Sequence, residues 1–563
     1  MPERAGAFAF VLHSHLPYCR RAGRWPHGEE WLHEAASETY LPLLEGLNRL
    51  RNEGTKFQLT IGITPVLCEQ LADRDVRDNL ADFMEDKEQR ARSDVGRFER
   101  EGDGRRAEGA AWYLEHFISL RSLYESMDRD IVGGFKRLQD DGCIEIATSA
   151  ATHGYLPLME RDSTIHGQLA VGVQSYKRHF GRDPRSCWLP ECAYRPAYER
   201  VVGDQRYVKP GIESFLSELG LRLFFAETHT VEGGAPVGKA VGDAVGPYGS
   251  VPRRYVVPIP NYDSPSHRTT YLPYWVSKPE VAVLGRNNRT GLQVWSASHG
   301  YPGEADYREF HKRDGVSGLQ YWRVTGPEVD LGNKDVWNPS WARDRVAGHA
   351  DHFAHLVESL LSEFHATSGK TGIISAAYDT ELFGHWWFEG VDWLISVLRK
   401  LSGSPNVETC TAGQFVAAHS PEEVLALPES SWGQAGNHFV WLNADTEWMW
   451  PVIHAAERRM ERLVELHPDA GGQLLAVLSQ CARELLLLES SDWPFLVTTG
   501  QAREYAIQRF DDHVERFRRL AEVAEGGRPT SDDIALTNEL WELDKLFPTI
   551  DYRVFSRRDL VWD

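Results

Sequence analysis

Short apolar runs, each ending at a proline or at polar side chains, constrain the fold of this chain most. Runs of this kind lie at residues 7–12, 57–63, 143–148, 186–189, 223–227 and 372–378. Their length and composition suit strands that are buried on both faces, as in parallel sheets. Helical patterns separate them, at 31–53, 162–180, 212–220 and 346–367. The repeated alternation of strand and helix predicts a parallel α/β barrel.

Two stretches depart from this alternation. Residues from about 75 to 130 are helical and heavily charged without a strand pattern, which predicts a helical insertion in the barrel. After about 408 the strand patterns fade, and leucine and alanine recur at helical spacing over 450–467, 471–490, 499–524 and 531–545. We therefore expect a barrel over residues 1–408 and a helical domain over 409–563.

The run at 186–189 ends in Pro190 and Glu191, beside aromatic and basic side chains. In α/β barrels the reactive groups follow the strands, because the scaffold holds them rigidly there. The alternative is a solvated loop glutamate, which is the commoner environment for this residue type.

A second carboxylate, Asp379, follows the apolar strand at 372–378. Two carboxyl groups are sufficient to cleave a glycosidic bond, since one protonates the leaving oxygen and the other stabilises the developing positive charge. The apolar strand before Asp379, together with Trp386 and Trp387 after it, predicts desolvation that raises the pKa of this carboxyl.

Three histidines follow predicted strands. His13 and His15 are two residues apart on an extended segment and so face the same way, and His153 follows the strand at 143–148. Imidazoles are common zinc ligands, so a metal site is one interpretation. A pocket wall that hydrogen-bonds sugar hydroxyls is the other, and for His153 a structural histidine is a third.

The composition of the chain narrows the classes of ligand that it can bind. The chain of 563 residues carries a formal net charge of −21, which disfavours phosphate backbones and anionic membranes and suits a neutral substrate. Its 19 tryptophans fit either sugar-stacking platforms or an aromatic core. The seven scattered cysteines form no metal-binding motif. The apolar run near the start is too short for a signal peptide, so we expect a cytoplasmic protein.

Four motifs, in chain order, carry a resemblance to a known family. They are His13-Ser14-His15-Leu16-Pro17-Tyr18, Thr152-His153-Gly154-Tyr155-Leu156-Pro157, Trp188-Leu189-Pro190-Glu191-Cys192-Ala193-Tyr194 and Tyr378-Asp379-Thr380-Glu381-Leu382-Phe383-Gly384-His385-Trp386-Trp387. They resemble the signature regions of glycoside hydrolase family 57, and the similarity extends over nearly the whole chain. It implies that Glu191 is the catalytic nucleophile and Asp379 the general acid/base, with substrate-binding histidines, no metal and no cofactor.

Within that family the chain is similar to the branching-enzyme group. That similarity implies further substrate-binding residues, namely Trp25, Trp31, Trp295 at a strand end, Trp432, Trp441, Asp492 and Trp493. The glycine-rich stretch at about 229–250 resembles a lid loop carrying a tyrosine, for which Tyr248 is the candidate. The alternative for that stretch is an ordinary surface loop, and for Asp492 and Trp493 it is an inter-helix turn.

The resemblance implies a parallel (β/α)7-type incomplete barrel with a helical insertion and a C-terminal all-helical domain that contributes to the substrate cleft. It implies an enzyme that cuts α-1,4 bonds of an α-glucan and rejoins the chain through α-1,6 bonds, as in glycogen biosynthesis. An α-amylase or 4-α-glucanotransferase of the same family is the alternative, followed by a metal-dependent polysaccharide deacetylase and a catalytically silent glucan-binding protein. We expect a monomer or small homo-oligomer that binds neither nucleic acid nor membrane.

Overall fold

The computed structural model describes residues 4–24, 27–202, 205–236, 244–246, 249–251, 268–295, 300–326 and 328–558. Its strands are β1 Gly6–Ser14, β2 Leu59–Ile63, β3 Ile144–Ser149, β4 Ser186–Trp188, β5 Tyr198–Val202, β6 Gln205–Lys209, β7 Leu223–Ala226, β8 Ala244–Gly246, β9 Gly249–Val251, β10 Tyr274–Val276, β11 Lys278–Gly285, β12 Gly372–Asp379, β13 Val407–Thr409 and β14 Val424–Leu425.

The α-helices are α1 Glu29–Ala35, α2 Leu41–Asn52, α3 Pro65–Ala72, α4 Arg74–Glu101, α5 Gly104–Ser126, α6 Ile131–Asp140, α7 Asp162–Phe180, α8 Ile212–Glu218, α9 Thr228–Glu232, α10 Asn288–Trp295, α11 Pro339–Ser368, α12 Gly390–Ser402, α13 Ala412–Ala418, α14 Met449–Leu466, α15 Gly472–Leu488, α16 Asp492–Thr499, α17 Arg503–Gly526 and α18 Ser531–Leu543. A π-helical segment, Ala36–Tyr40, joins α1 to α2. Short 3-10 turns occupy Leu156–Leu158, Pro190–Cys192, Tyr301–Gly303, Leu331–Asn333, Thr380–Leu382, Gln434–Gly436 and Tyr552–Phe555.

Seven parallel strands form the centre of the molecule, in the order β12-β1-β2-β3-β4-β7-β11. In the described residues the sheet is open between β11 and β12, where one hydrogen bond crosses from Asn287 N to Ser375 O at 2.9 Å. β10 pairs antiparallel with β11 and is extended by β14. The fold-class prediction of an incomplete parallel barrel with a helical C-terminal region is confirmed.

Alternation along the strands separates the two faces of the sheet. All nine residues of β1 are buried. Phe8 and Phe10 point outward and pack on Phe353 of α11, with ring centroids 5.9 and 6.3 Å apart. Ala7, Ala9 and Val11 belong to the other core, which joins the barrel interior to the C-terminal helices.

The charged stretch between β2 and β3 forms α4 and α5, two long helices joined by a two-residue turn. The segment from 300 to 338 packs on them. Tyr321 donates a hydrogen bond to Asp94 at 2.7 Å, and Tyr113 donates to the Gln320 carbonyl at 2.9 Å. These contacts tie the inserted helices to the loop that precedes α11.

The C-terminal helices α14–α18 enclose α15, which is buried from Val477 to Leu488. β13 and β14 join the barrel sheet, which therefore takes in residues on both sides of the boundary predicted at 408. We retain the division into a barrel and a helical domain as a proposal. No helix of the described ranges is long and apolar enough to cross a membrane.

Two local predictions were wrong. Trp295 ends helix α10, whereas the sequence placed it at a strand end. Its apolar neighbours Leu292 and Val294 suggested a strand, but the preceding Asn287 caps a helix by accepting from Thr290 N at 3.1 Å. Residues 490–495 were predicted as a short break between two helices, but a helix, α16, already begins at Asp492.

Candidate active site

Glu191 and Asp379 lie at the carboxyl ends of two strands of the same parallel sheet. Glu191 occupies the 3-10 turn after β4 with φ of 61°, and Asp379 is the last residue of β12, opposite His13 of β1. A non-glycine residue in this left-handed region is strained, and such residues are frequent at functional sites. The geometry therefore places both predicted catalytic carboxyls at the edge of the sheet where barrel enzymes hold their reactive groups.

The carboxyl oxygens of Glu191 have different donors. Trp432 Nε1 donates to Oε2 at 2.7 Å, and Ser491 Oγ lies 3.3 Å from Oε1. The main chain is paired as well, because Trp432 N donates to the Glu191 carbonyl at 3.0 Å. Both partners come from far along the chain, so segments after the barrel strands fix the orientation of this carboxyl.

Burial raises the pKa of both carboxyls. The pKa of Glu191 rises to about 8, opposed by the hydrogen bond from Trp432 and raised further by the charges of Asp492 and Asp379. The pKa of Asp379 rises to about 7, and the positive charge of Arg286 opposes the rise. Both carboxyls therefore titrate near neutral pH as an interacting pair, and Glu191, whose pKa is the higher, must lose its proton before it can act as a nucleophile.

The three predicted histidines meet beside Glu191. His13 Nε2 and His153 Nε2 are 3.1 Å apart, and the rings of His15 and His153 stack with centroids 3.9 Å apart. Burial lowers the pKa of His13 and of His153 well below the usual value, so both rings are neutral at neutral pH. Neutral imidazoles carry one donor and one acceptor each, which suits contacts with sugar hydroxyls.

Asp492 of α16 contacts His15 directly. His15 Nε2 lies 3.0 and 3.1 Å from the two carboxyl oxygens of Asp492, and His15 Nδ1 lies 3.1 Å from Thr64 Oγ1. Ser490 donates to the same aspartate at 2.6 Å. The C-terminal helical region thus reaches the strand ends of the barrel at Asp492.

A third buried carboxyl, Glu381, lies two residues after Asp379 and was not singled out from the sequence. It accepts hydrogen bonds from the hydroxyl of Tyr40 and, at 3.2 Å, from His15 N. Burial raises its pKa to about 8. Its position inside the fourth motif was the available signal, whereas nothing local to Tyr40 pointed to this contact.

Arg286 is the second group that sequence reasoning missed. It directly follows β11, and its Nη1 lies 3.1 Å from Oε2 of Glu227, which directly follows β7. Both side chains are buried. A charged side chain directly after a buried strand was the signal, and it resembles the signal that identified Glu191.

The predicted tryptophans differ in their burial and contacts. Trp432 contacts Glu191, and Trp31 and Trp295 are half-buried. Trp31 packs edge-on against Tyr505 of α17, with centroids 5.6 Å apart. Trp441 and Trp493 are fully buried, Trp441 being stacked on Tyr155 at 4.4 Å, so we leave both out of the substrate-contacting set. Trp25 and Tyr248 lie outside the described residues.

The His, Cys, Asp and Glu side chains whose spacing could suit a metal ion lie away from Glu191 and Asp379. Among the described residues, the group of three or more His, Cys, Asp or Glu side chains with suitably close ligand atoms is Glu484, His513 and Asp544 in the C-terminal helices. Arg516 Nη1 already lies 2.6 Å from Asp544 Oδ2. That guanidinium balances the carboxylate charge, so this cluster is a buried ion-pair network.

Comparisons with known proteins cover both halves of the chain. A model of glycosyl hydrolase family 57 matches residues 9–428, and a model described as 1,4-alpha-glucan branching enzyme, C-terminal, matches residues 452–555. The chain is 45% identical over 546 residues to 1,4-alpha-glucan branching enzyme TK1436 of Thermococcus kodakarensis, covering 96% of this chain and 77% of that protein.

Two solved structures are similar over almost the full length. The GH57-type branching enzyme of Pyrococcus horikoshii superposes with a TM-score of 0.87 at 42% identity, covering 98% of this chain and 97% of that one. The α-amylase AmyC of Thermotoga maritima superposes with a TM-score of 0.81 at 29% identity, covering 99% of this chain and 100% of that one.

Proposed function

Because the chain belongs to glycosyl hydrolase family 57, we propose that it is a 1,4-α-glucan branching enzyme. The observation that carries this proposal is the 45% identity to a branching enzyme over 96% of the chain, joined to a match with the branching-enzyme C-terminal region. The buried carboxyls Glu191 and Asp379 supply the chemistry.

The reaction proceeds by double displacement. Asp379 gives its proton to the glycosidic oxygen of an α-1,4 bond while Glu191 attacks the anomeric carbon, which releases one part of the glucan and leaves a glycosyl ester on Glu191. Asp379 then takes the proton of a glucan 6-hydroxyl as that oxygen attacks the anomeric carbon. Glu191 leaves as carboxylate, and the new bond is α-1,6 with the configuration retained.

The histidines and Asp492 bind the sugar hydroxyls next to the cleaved bond. His13, His15 and His153 line the same strand edge as Asp379, and Asp492 orients His15 through the contacts of 3.0 and 3.1 Å. The half-buried rings of Trp31 and Trp295, together with Trp432, provide apolar faces for the glucan. Trp25 and Tyr248 remain predictions for the same role.

We also propose the setting of the reaction. The enzyme acts in glycogen biosynthesis in the cytoplasm, as a monomer or small homo-oligomer without a metal or cofactor. An α-glucan is its partner, and the formal charge of −21 disfavours polyanionic ones.

Hydrolysis is the second candidate, favoured by the similarity to the α-amylase AmyC. The two reactions share the glycosyl ester and differ only in the acceptor, which is water for an amylase and a 6-hydroxyl for a branching enzyme. Acceptor binding and water exclusion around Glu191 therefore decide the outcome.

Incubation with amylose distinguishes the two reactions. We expect new α-1,6 linkages, measured by proton NMR, to outnumber new reducing ends by far. Reducing ends without branches indicate an amylase or a 4-α-glucanotransferase, and no change in either overturns the proposal.

Glu191→Gln and Asp379→Asn are the catalytic variants for the same assay. Each is expected to lower the rate at least about a thousandfold, because each removes a group that reacts or transfers a proton. Circular dichroism checks that the fold is retained. Appreciable turnover by either variant contradicts the assigned roles.

A further inference from the structure

Ser491 connects Glu191 to two buried histidines through one continuous row of contacts. Ser491 Oγ lies 2.8 Å from His153 Nδ1 and 3.3 Å from Glu191 Oε1, and His153 Nε2 lies 3.1 Å from His13 Nε2. The side chains of His13, His153 and Ser491 are at most 2% exposed. Water therefore does not compete for these hydrogen bonds.

Only one arrangement of protons along this row gives every N–H an acceptor. Each neutral imidazole has a single N–H, and only one proton fits between the two Nε2 atoms. His13 Nδ1 is buried and has no hydrogen-bond partner in the described part of the chain. A proton on that atom would be a buried donor without an acceptor, which is costly, so the proton of His13 belongs on Nε2.

The remaining protons follow from that assignment. His13 Nε2–H donates to His153 Nε2, so His153 carries its own proton on Nδ1 and donates it to Ser491 Oγ. Ser491 has then accepted one hydrogen bond, and its O–H is directed to Glu191 Oε1. With the N–H of Trp432 on Oε2, both carboxyl oxygens receive a donor, which favours the ionised form of Glu191.

The main chain around this row is fixed by the same serine. His153 and Glu191 both have left-handed backbones, with φ of 58° and 61°. Ser491 N donates to the His153 carbonyl at 3.0 Å, and Gly154 and Ser490 form an antiparallel bridge. Ser491 of the C-terminal helical region therefore contacts both residues with left-handed backbones: its main-chain N–H binds His153 and its hydroxyl binds Glu191.

We propose that Ser491 is a positioning residue for the nucleophile. Ser491 accepts a hydrogen bond from His153 and donates one to Glu191, so it orients the carboxyl and favours its ionised form against the effect of burial. This inference rests on the proposed function, because it takes Glu191 as the nucleophile. It also assigns the C-terminal helical region a direct part in catalysis, since Ser491 lies between α15 and α16.

Substitution of the hydroxyl tests the proposal. Ser491→Ala is expected to lower kcat by about 10- to 100-fold with little change in KM, since a hydrogen bond to a charged group is lost. The acid limb of the pH profile of kcat/KM is expected to move up by about one pH unit, because Glu191 loses a donor that favours its ionised form. Ser491→Thr keeps the hydroxyl and is expected to restore both values.

A second measurement reads the ionisation of Glu191 without turnover. Trp432 donates to this carboxyl, so the difference in tryptophan emission between wild type and Glu191→Gln should titrate with Glu191. In the Ser491→Ala background the midpoint is expected at higher pH. Ser479→Ala removes a largely buried serine of α15 and is the matched control, for which neither midpoint nor kcat should change.

The outcomes separate this inference from the proposed function. Loss of activity with unmoved midpoints, or without rescue by Ser491→Thr, shows a purely structural role and overturns the inference. An unchanged Ser491→Ala enzyme overturns it as well. Wild-type enzyme that leaves amylose unchanged overturns the proposed function instead, while the emission titration still decides whether Ser491 controls Glu191.

Discussion

At the scale of single residues, the activity of the site depends on how far burial raises the pKa values of two carboxyls. Catalysis requires one carboxyl ionised and the other protonated, so the rate falls on the acid side as the nucleophile gains a proton and on the alkaline side as the acid loses one. Burial raises the pKa values of Asp379 and Glu191 to about 7 and about 8. The interacting pair therefore titrates well above the usual range of carboxyls.

We predict a bell-shaped pH profile of kcat/KM with both limbs between about pH 6 and 9, whichever carboxyl is assigned to which limb. Solvated carboxyls would place the acid limb near pH 4. Initial rates on a soluble maltooligosaccharide from pH 4.5 to 10 measure the profile. An acid limb centred near pH 4.5 would show that burial does not raise the pKa values of these two carboxyls in the free enzyme.

Some residues of the site have a signal in the local sequence, and others do not. Glu191, Asp379, His13 and His153 lie within five residues after an apolar run, so the local pattern places them near strand ends. Ser491 and Tyr40 reach the site through contacts 300 and 341 residues apart in the chain, which no local pattern encodes. Trp441 and Trp493 show the reverse limit, because residue type does not tell an exposed ring from a buried one.

At the scale of elements, the π-helical segment Ala36–Tyr40 supports the loop after Asp379. Glu38 of that segment accepts hydrogen bonds from Arg308 at 3.0 Å and from His385 at 2.8 Å, and Tyr40 donates to Glu381. π-helical turns are rare and are frequent at functional sites. The sequence predicted one helix over 31–53, since the widened turn leaves the apolar pattern almost unchanged.

Gly384 marks the closest approach of these two elements. Its φ is 102°, and a Cβ at this position would overlap the carbonyl oxygen of Glu38. We predict that Gly384→Ala destabilises the protein by about 2 kcal/mol or more, because both the backbone conformation and the contact become unfavourable. The loss of activity should exceed the loss of folded protein, because the same loop carries Glu381 and directly follows Asp379, so its displacement also disturbs the site.

Gly348→Ala is the control for that prediction. Gly348 lies within α11, and an added Cβ there meets no neighbouring atom within 4 Å. Alanine in the middle of a helix is expected to stabilise it by about 0.5–1 kcal/mol. Denaturant unfolding and the amylose assay on both variants provide the comparison, and a Gly384→Ala protein as stable as Gly348→Ala would refute the packing argument.

At the scale of the whole molecule, the barrel and the C-terminal helices meet across buried carboxyls. Gln168 of α7 donates to Glu489 at 2.9 Å, and the main-chain N–H of Arg161 donates to Glu457 of α14 at 2.7 Å. Burial raises the pKa of Glu457 to about 8 and that of Glu489 well above its usual value, with the charge of Glu457 adding to the rise for Glu489. This interface also holds Ser491 against Glu191, so its stability and the catalytic geometry are linked.

The raised pKa values fix the sign of the pH dependence. Between the unfolded-state pKa of a glutamate, near 4.5, and the higher folded-state value, the folded protein binds more protons than the unfolded chain. Stability from this source is therefore complete below about pH 4.5 and is lost as the pH rises through the folded-state pKa. The buried carboxyls thus make the contact between barrel and helices weaker in alkaline solution.

The variant Glu489→Gln measures the contribution of one buried carboxyl to this pH dependence. We predict that the free energy of unfolding of wild type falls relative to that of the variant as the pH rises from 5 to 9, by up to about 1.4 kcal/mol per pH unit. The neutral amide keeps an acceptor for Gln168 and does not ionise, so the variant lacks this contribution. Urea unfolding across this pH range measures the difference, with Glu465→Gln, an exposed position on α14, as the matched control. Parallel pH curves for Glu489→Gln and wild type would mean that Glu489 is already ionised in the folded protein, and that the interface tolerates its charge.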